Sequence, residues 1–128
     1  MIPKRILVIE DEQIVARDLQ NVLNRLGYVF VGSAATGREA IDMAAATQPD
    51  LILMDIGLDG PMDGIDASIE IVEKQAVPVV YLTAYPGTFF YNSSRMVAPF
   101  LCIAKPFSVP SLDAIIQNAL GISAARPN

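Results

Sequence analysis

The sequence predicts an α/β fold: one domain with a parallel five-stranded sheet and helices on both of its faces. Two observations carry this prediction. Short, nearly unbroken apolar runs alternate five times with helix-like segments. Most of these runs end at a charged residue or a hydroxyl, and open α/β sheets place their ligands at that end of the strands. The chain has 128 residues, 52% of them hydrophobic, which is enough to fill one core without disulfides.

Five apolar runs are the predicted strands. They span residues 5–9, 28–33, 51–55, 77–82 and 100–104. The third run is the most informative, because Leu51–Met54 contains no polar residue before Asp55. Such a short continuous run is typical of a strand that is buried on both faces. Gly57, Gly60 and Gly64 follow soon after, so we expect a sharp turn beyond Asp55.

Helix signals separate these strands. Apolar residues at spacings of three and four predict a first helix, which ends at Gly27. A capping box starting at Thr36 predicts an alanine-rich second helix, and a third helix is expected after the loop at 56–63. Ser108 is the predicted cap of the last helix, which we expect to end at Gly121.

The stretch 85–99 is the least regular part of the sequence. Pro86-Gly87 disfavours a regular helix, whereas Phe89-Phe90 favours burial. We therefore expect a short or irregular fourth helix in this stretch. We expect the domain to span residues 1–122 and residues 123–128 to form a disordered tail.

Composition and charge exclude several classes of function. The net charge is −5, and no basic block is longer than Lys4-Arg5, so direct binding to nucleic acid is not expected. The sequence has no histidine, which excludes imidazole catalysis and histidine-ligated metals. Its single cysteine, Cys102, suits a reducing cytoplasm. No apolar run approaches the roughly 20 residues of a membrane span, so membrane insertion is not expected either.

Polar side chains gather at one predicted edge of the sheet. Glu10 and Asp11 follow the first strand, Asp55 ends the third, Thr83 follows the fourth and Lys105 follows the fifth. Carboxylates held close together repel one another unless a cation joins them, and such oxygen ligands select Mg²⁺. Asp55 is then a candidate nucleophile for phosphoryl transfer. Lys105 would supply a positive charge and Thr83 a hydrogen bond.

Each of these residues also has a simpler explanation. An acid after a strand is often a turn or cap residue, and acids at a helix start are favoured by the helix dipole. A lone threonine is most often a cap, and a lone lysine is most often solvated. Only the joint placement of these residues at the ends of four strands favours a functional site.

Four segments together resemble the signature of the response-regulator receiver domains of two-component signalling. They are Leu7–Glu12, Leu53–Ile56, Leu82–Ala84 and Lys105–Phe107. The resemblance covers roughly residues 4–121. It implies a flavodoxin-like (βα)5 sheet with the strand order 2-1-3-4-5.

The resemblance also implies the chemistry of the site. Asp55 would accept a phosphoryl group from a histidine kinase or a histidine phosphotransfer protein. Asp11 and Asp55 would bind Mg²⁺ directly, Glu10 would bind it through water, and the backbone carbonyl of Gly57 would complete the protein ligands. The domain would assist its own phosphorylation and dephosphorylation without turning over a separate substrate.

A conformational switch is the third implication of the resemblance. Thr83 and Lys105 would contact the phosphoryl group, and the Lys105–Pro106 peptide bond would be cis. Phosphorylation would draw Thr83 inward and shift the face formed by the fourth helix, the fifth strand and the fifth helix. This face would bind a downstream protein or a second copy of the chain.

Three features depart from the usual pattern of the family. Cys102 stands where an aromatic residue is usual, which puts the aromatic part of the switch in question, and we expect it to be a core residue. The loop 57–64 is one residue longer than the common pattern. The aromatics at 89–91 replace a charged helix, and they either pack inward or form an apolar docking face.

Two other functions stay open on the residues alone. A receiver-like scaffold would bind its partners without phosphorylation. A flavin or nucleotide binder of the same architecture is disfavoured, because Glu10 and Asp11 occupy the turn where a phosphate-binding fold needs glycines.

Overall fold

The computed structural model describes residues 2–58, 60–84 and 101–125. Its strands are β1 Arg5–Ile9, β2 Val29–Ala34, β3 Leu51–Asp55, β4 Val79–Thr83 and β5 Leu101–Ala104. The helices of the described residues are α1 Gln13–Arg25, α2 Gly37–Thr47, α3 Gly64–Lys74 and α4 Val109–Ala125. The helix predicted within 85–99 lies outside the described residues, and so does the question of whether its aromatics are buried.

The five strands form one parallel sheet in the order β2-β1-β3-β4-β5. This result confirms both the predicted fold class and the predicted strand order. All five residues of β3 are buried, as expected for a central strand with helices on both faces. β4 begins at Val79, two residues later than predicted. The preceding residue, Pro78, accepts a hydrogen bond from the Ile52 N–H but has no N–H of its own to donate to a neighbouring strand.

The core has two parts, one on each face of the sheet. On one face, α1 and α4 pack against the sheet through side chains that include Leu19, Leu23 and Ile116. On the other face, α2 and α3 pack through side chains that include Ile41 and Ile71. Among the described residues, no helix is both long and apolar enough to cross a membrane.

Side chains that precede α2, α3 and α4 accept hydrogen bonds from N–H groups in the first turns of these helices. The Thr36 hydroxyl accepts a hydrogen bond from the Glu39 N–H at 3.2 Å, and Ser108 accepts one from the Ser111 N–H at 3.2 Å. Both predicted caps are therefore confirmed. A reciprocal capping box between Asp63 and Asp66, which the sequence analysis did not identify, begins α3.

The predicted end of the last helix at Gly121 is wrong. α4 continues through Gly121 to Ala125, so residues 123–125 of the predicted tail are helical. Gly27 follows α1 with a φ of +91°, but Gly121 is not among the described glycines with positive φ. A glycine inside a helix costs stability without necessarily ending it, and the alanines that follow are strong helix formers.

Gly121→Ala is therefore expected to stabilise the protein. The position is exposed, and an added Cβ would meet no atom within 4 Å. We expect the free energy of unfolding to rise by up to about 1 kcal/mol, the usual difference between glycine and alanine inside a helix. Urea denaturation measures this change. A loss of stability would mean that the helix ends at Gly121 in a left-handed conformation.

Candidate functional site

The four strand ends that the sequence analysis selected lie at one edge of the sheet. Glu10 directly follows β1, Asp55 and Thr83 are the last residues of β3 and β4, and Lys105 directly follows β5. Glu10, Asp11 and Asp55 can each bring a carboxylate oxygen within 4.8 Å of the other two. Glu10 and Asp55 are buried, with exposed fractions of 2% and 6%. The predicted acidic cluster is therefore present.

The Lys105 ammonium joins two of these acids. Its Nζ atom donates a hydrogen bond to Glu10 Oε1 at 2.5 Å and another to Asp55 Oδ2 at 3.3 Å. The Lys105 N–H also donates to the Thr83 carbonyl at 2.7 Å, which fixes the end of β5 beside the end of β4. The predicted placement of Lys105 beside Asp55 is confirmed, although its shorter contact is with Glu10.

Both carboxylate oxygens of Asp55 have hydrogen-bond donors. Oδ2 faces Lys105, and Oδ1 accepts the Gly57 N–H at 2.9 Å. The Asp55 carboxylate is therefore held in one orientation by the Lys105 side chain, which follows β5, and by the Gly57 N–H in the loop after β3. Sequence reasoning selected Gly57 for its carbonyl and did not identify this contact of its N–H group.

The like charges of the acids shape the electrostatics of the site. Burial, together with the neighbouring Asp55, raises the pKa of Glu10 to about 7. Burial lowers the pKa of Lys105, but the hydrogen bond to Glu10 and the charges of Glu10 and Asp55 outweigh this effect, so the pKa is raised overall. Three carboxylates come together here, and their oxygen atoms are ligands that a hard divalent cation prefers.

Gly64 fixes the loop that frames Asp55. It is the first residue of α3 and is buried against the peptide of Asp55. A Cβ atom on Gly64 would overlap the Asp55 carbonyl oxygen and lie 2.9 Å from the carbonyl carbon. The sequence analysis listed Gly64 only as a turn residue. Its position at the start of the third helix was the sequence signal for this contact, because glycine allows the helix backbone to approach the Asp55 backbone closely.

The remaining predicted residues also have defined positions. Thr83 is buried at the end of β4. Cys102 is half-buried and packs against the core between the sheet and the α2–α3 layer, and burial raises the pKa of its thiol to about 11. Cys102 was predicted to be a core residue, and it packs against the core while remaining partly exposed. The Lys105–Pro106 peptide bond is cis, as predicted.

Residues 6–117 match the family described as the response regulator receiver domain. The sequence is 37% identical over 119 residues to the transcriptional regulatory protein PdtaR of Mycobacterium tuberculosis, covering 93% of this chain and 58% of PdtaR. It is 39% identical over 116 residues to the phyllosphere-induced regulator PhyR of Methylorubrum extorquens, covering 90% of this chain and 43% of PhyR. The chain thus spans about half the length of these relatives.

A solved structure gives the same result for the fold. The solution NMR structure of the receiver domain of PhyR from Erythrobacter litoralis superposes with a TM-score of 0.86 at 32% sequence identity, and the match covers 98% of this chain and 95% of that chain. The strand order and the acidic edge of the sheet agree with this match and define a domain of the receiver class. The chain belongs to the response regulator receiver domain family.

Gly64→Ala is expected to destabilise the protein by about 1–3 kcal/mol, the usual cost of overpacking a closely packed site. The added methyl group would push the start of α3 away from the Asp55 carbonyl. Chemical denaturation measures the loss.

Gly57→Ala is the matched control, because a Cβ there would lie 3.7 Å from Asp55 Oδ1, an ordinary contact. Equal losses in the two variants would contradict the steric explanation for Gly64.

Proposed function

We propose that the protein is a phosphorylatable switch of two-component signal transduction, in which Asp55 accepts a phosphoryl group from a phosphohistidine. The donor would be a histidine kinase or a histidine phosphotransfer protein. One observation carries the proposal: the Asp55 carboxylate lies at a strand end, beside two further acids and within hydrogen-bond distance of the Lys105 ammonium. A structural role for a buried carboxylate does not need this concentration of like charge.

The transfer exchanges one bond for another. An Asp55 carboxylate oxygen forms a bond to phosphorus while the phosphorus–nitrogen bond of the donor breaks, and the histidine ring keeps the electron pair of that bond. The contacts of the carboxylate with the Gly57 N–H and the Lys105 ammonium orient it before the donor arrives. Orientation of this kind is the main contribution that a protein makes to phosphoryl transfer.

Glu10, Asp11 and Asp55, together with the Gly57 carbonyl, are the proposed ligands of Mg²⁺. When bound, the ion would neutralise charge on the phosphoryl oxygens and on the acids that surround them. The approach of the three carboxylates, whose oxygen atoms lie within 4.8 Å of one another, supports this assignment.

Lys105 and Thr83 are the proposed contacts of the phosphoryl group on Asp55. Lys105 already reaches the Asp55 carboxylate at 3.3 Å, so its ammonium can move from Glu10 to a new phosphoryl oxygen over a short distance. The Thr83 hydroxyl lies at the end of the neighbouring strand β4, where it can donate a hydrogen bond. Loss of the phosphoryl group to water would reset the switch, and no separate substrate would be turned over.

We propose protein partners both for donating the phosphoryl group and for receiving the output signal. Ile14 and Val109 support a protein donor, because they lie in the first turns of α1 and α4, close in sequence to Glu10 and Lys105, and expose 86% and 41% of their surface. The output face would consist of β5, α4 and the stretch 85–99, and would bind a downstream protein or a second copy. We place the protein in the cytoplasm, with residues 1–122 as the receiver domain.

Incubation with Mg²⁺ and acetyl phosphate is expected to add one phosphoryl group, detected by intact-protein mass spectrometry. The label is expected on Asp55 and is expected to be absent in Asp55→Asn and when Mg²⁺ is chelated. Asp50→Asn is a suitable control, because Asp50 lies at the opposite edge of the sheet and accepts a hydrogen bond from Arg5.

A wild-type protein that takes no label from acetyl phosphate or from a competent histidine kinase would overturn the proposal. That result would support the scaffold function. Cys102, which stands where an aromatic residue is usual, is the observation that favours the scaffold as second candidate.

Mg²⁺ is expected to stabilise the folded protein, because it binds the native site and not the unfolded chain. At a Mg²⁺ concentration one hundred times Kd, the free energy of unfolding should rise by about 2.7 kcal/mol. Thermal unfolding with and without the ion measures the effect. Asp11→Asn should lose most of it, and an equal increase in this variant would show that the ion binds elsewhere.

A further inference from the structure

Two hydroxyl groups form a hydrogen bond inside the core. Ser68 and Tyr81 are both fully buried, and their hydroxyl oxygens lie 2.7 Å apart. The Ser68 hydroxyl donates its hydrogen to the Ile65 carbonyl at 2.8 Å. Because that hydrogen is used, the Tyr81 hydroxyl is the donor to Ser68. In this pair Tyr81 donates and Ser68 accepts, so the Ser68 hydroxyl has two partners, the Tyr81 hydroxyl and the Ile65 carbonyl.

This bond joins the two elements that border the phosphoacceptor. Tyr81 is on β4, two residues before Thr83, so both side chains point to the same face of the sheet. Ser68 is on α3, one helical turn after Gly64. In the sheet, Tyr81 lies opposite Met54, the neighbour of Asp55 in β3. The bond thus holds the first turns of α3 against the sheet next to the site.

The start of α3 is in direct contact with the phosphoacceptor. Gly64 packs against the Asp55 carbonyl with no room for a side chain, and the Gly64 N–H donates to the Ile56 carbonyl at 3.3 Å. The loop at 56–63 leaves Asp55 and returns to this same point. Gly57, whose N–H holds Asp55 Oδ1, is in the first turn of that loop. The position of α3 therefore sets the position of the loop.

We propose that Ser68 and Tyr81 are positioning residues for phosphoryl transfer to Asp55. Their hydrogen bond holds the start of α3 against β4, and the loop anchored by α3 keeps the Gly57 N–H on the Asp55 carboxylate. This inference rests on the proposed function, because it concerns the same phosphoacceptor. A purely structural pair would contribute to stability and leave the geometry of Asp55 unchanged.

Tyr81→Phe is the sharpest test of the bond. It removes one hydroxyl and keeps the ring, and Ser68 retains its bond to the Ile65 carbonyl. Ser68→Ala removes the other partner. Tyr28→Phe is the matched control, because the Tyr28 hydroxyl donates to Asp113 at 2.9 Å, and Tyr28 packs against the core on the opposite face of the sheet.

Labelling by acetyl phosphate is measured at saturating Mg²⁺ and at a temperature where every variant is fully folded. We expect Tyr81→Phe and Ser68→Ala each to slow labelling by about tenfold, which is less than the roughly 100-fold loss that a misplacement of about 1 Å can cause. The double variant should be no slower than the slower single variant, because either substitution alone already breaks the bond between the two hydroxyl groups. Tyr28→Phe should label at the rate of the wild type.

The amide proton resonance of Gly57 provides a second readout. In Tyr81→Phe it is expected to shift away from its wild-type position as the bond to Asp55 weakens, and in Tyr28→Phe it is expected to stay. A wild-type rate or an unshifted Gly57 resonance in Tyr81→Phe would overturn this inference and leave the proposed function intact. A wild-type protein that takes no label would overturn both.

Discussion

The placement of one ammonium group between two buried acids is the interaction on which this site depends. Lys105 contacts both Glu10 and Asp55, and its positive charge offsets the repulsion between these two buried carboxylates. A third acid, Asp11, lies beside this pair. The site thus holds three carboxylates close together, and such oxygen ligands are the kind that a hard divalent cation prefers.

The parallel sheet makes this arrangement possible. Side chains from β1, β3, β4 and β5 reach one edge because every strand runs in the same direction, with its carboxyl end at that edge. The apolar residues of β3 bury the middle of the sheet between two helical layers. The free energy of that burial holds the polar residues at the strand ends, where they would not gather by themselves.

The interior next to the site differs from an ordinary apolar core. Cys102 is small and half-buried, while Tyr81, directly opposite it in the sheet, is a buried ring whose hydroxyl is bound by Ser68. A ring held by a hydrogen bond has less freedom to rotate than one held by apolar contacts alone. Coupling between Asp55 and the rest of the domain is therefore expected to involve α3 as well as the β5–α4 side.

The sequence by itself determined the fold class, the five strands and the edge at which Glu10, Asp55 and Lys105 meet. These features follow from local patterns, because each apolar run ends where its polar residue begins and parallel strands share one carboxyl edge. Only the tertiary structure decided that Lys105 lies closest to Glu10, that Gly64 packs on the Asp55 carbonyl and that Ser68 binds Tyr81. It also decided that α4 passes through Gly121. These details depend on distances between atoms that are far apart in the chain, which no local pattern of residues encodes.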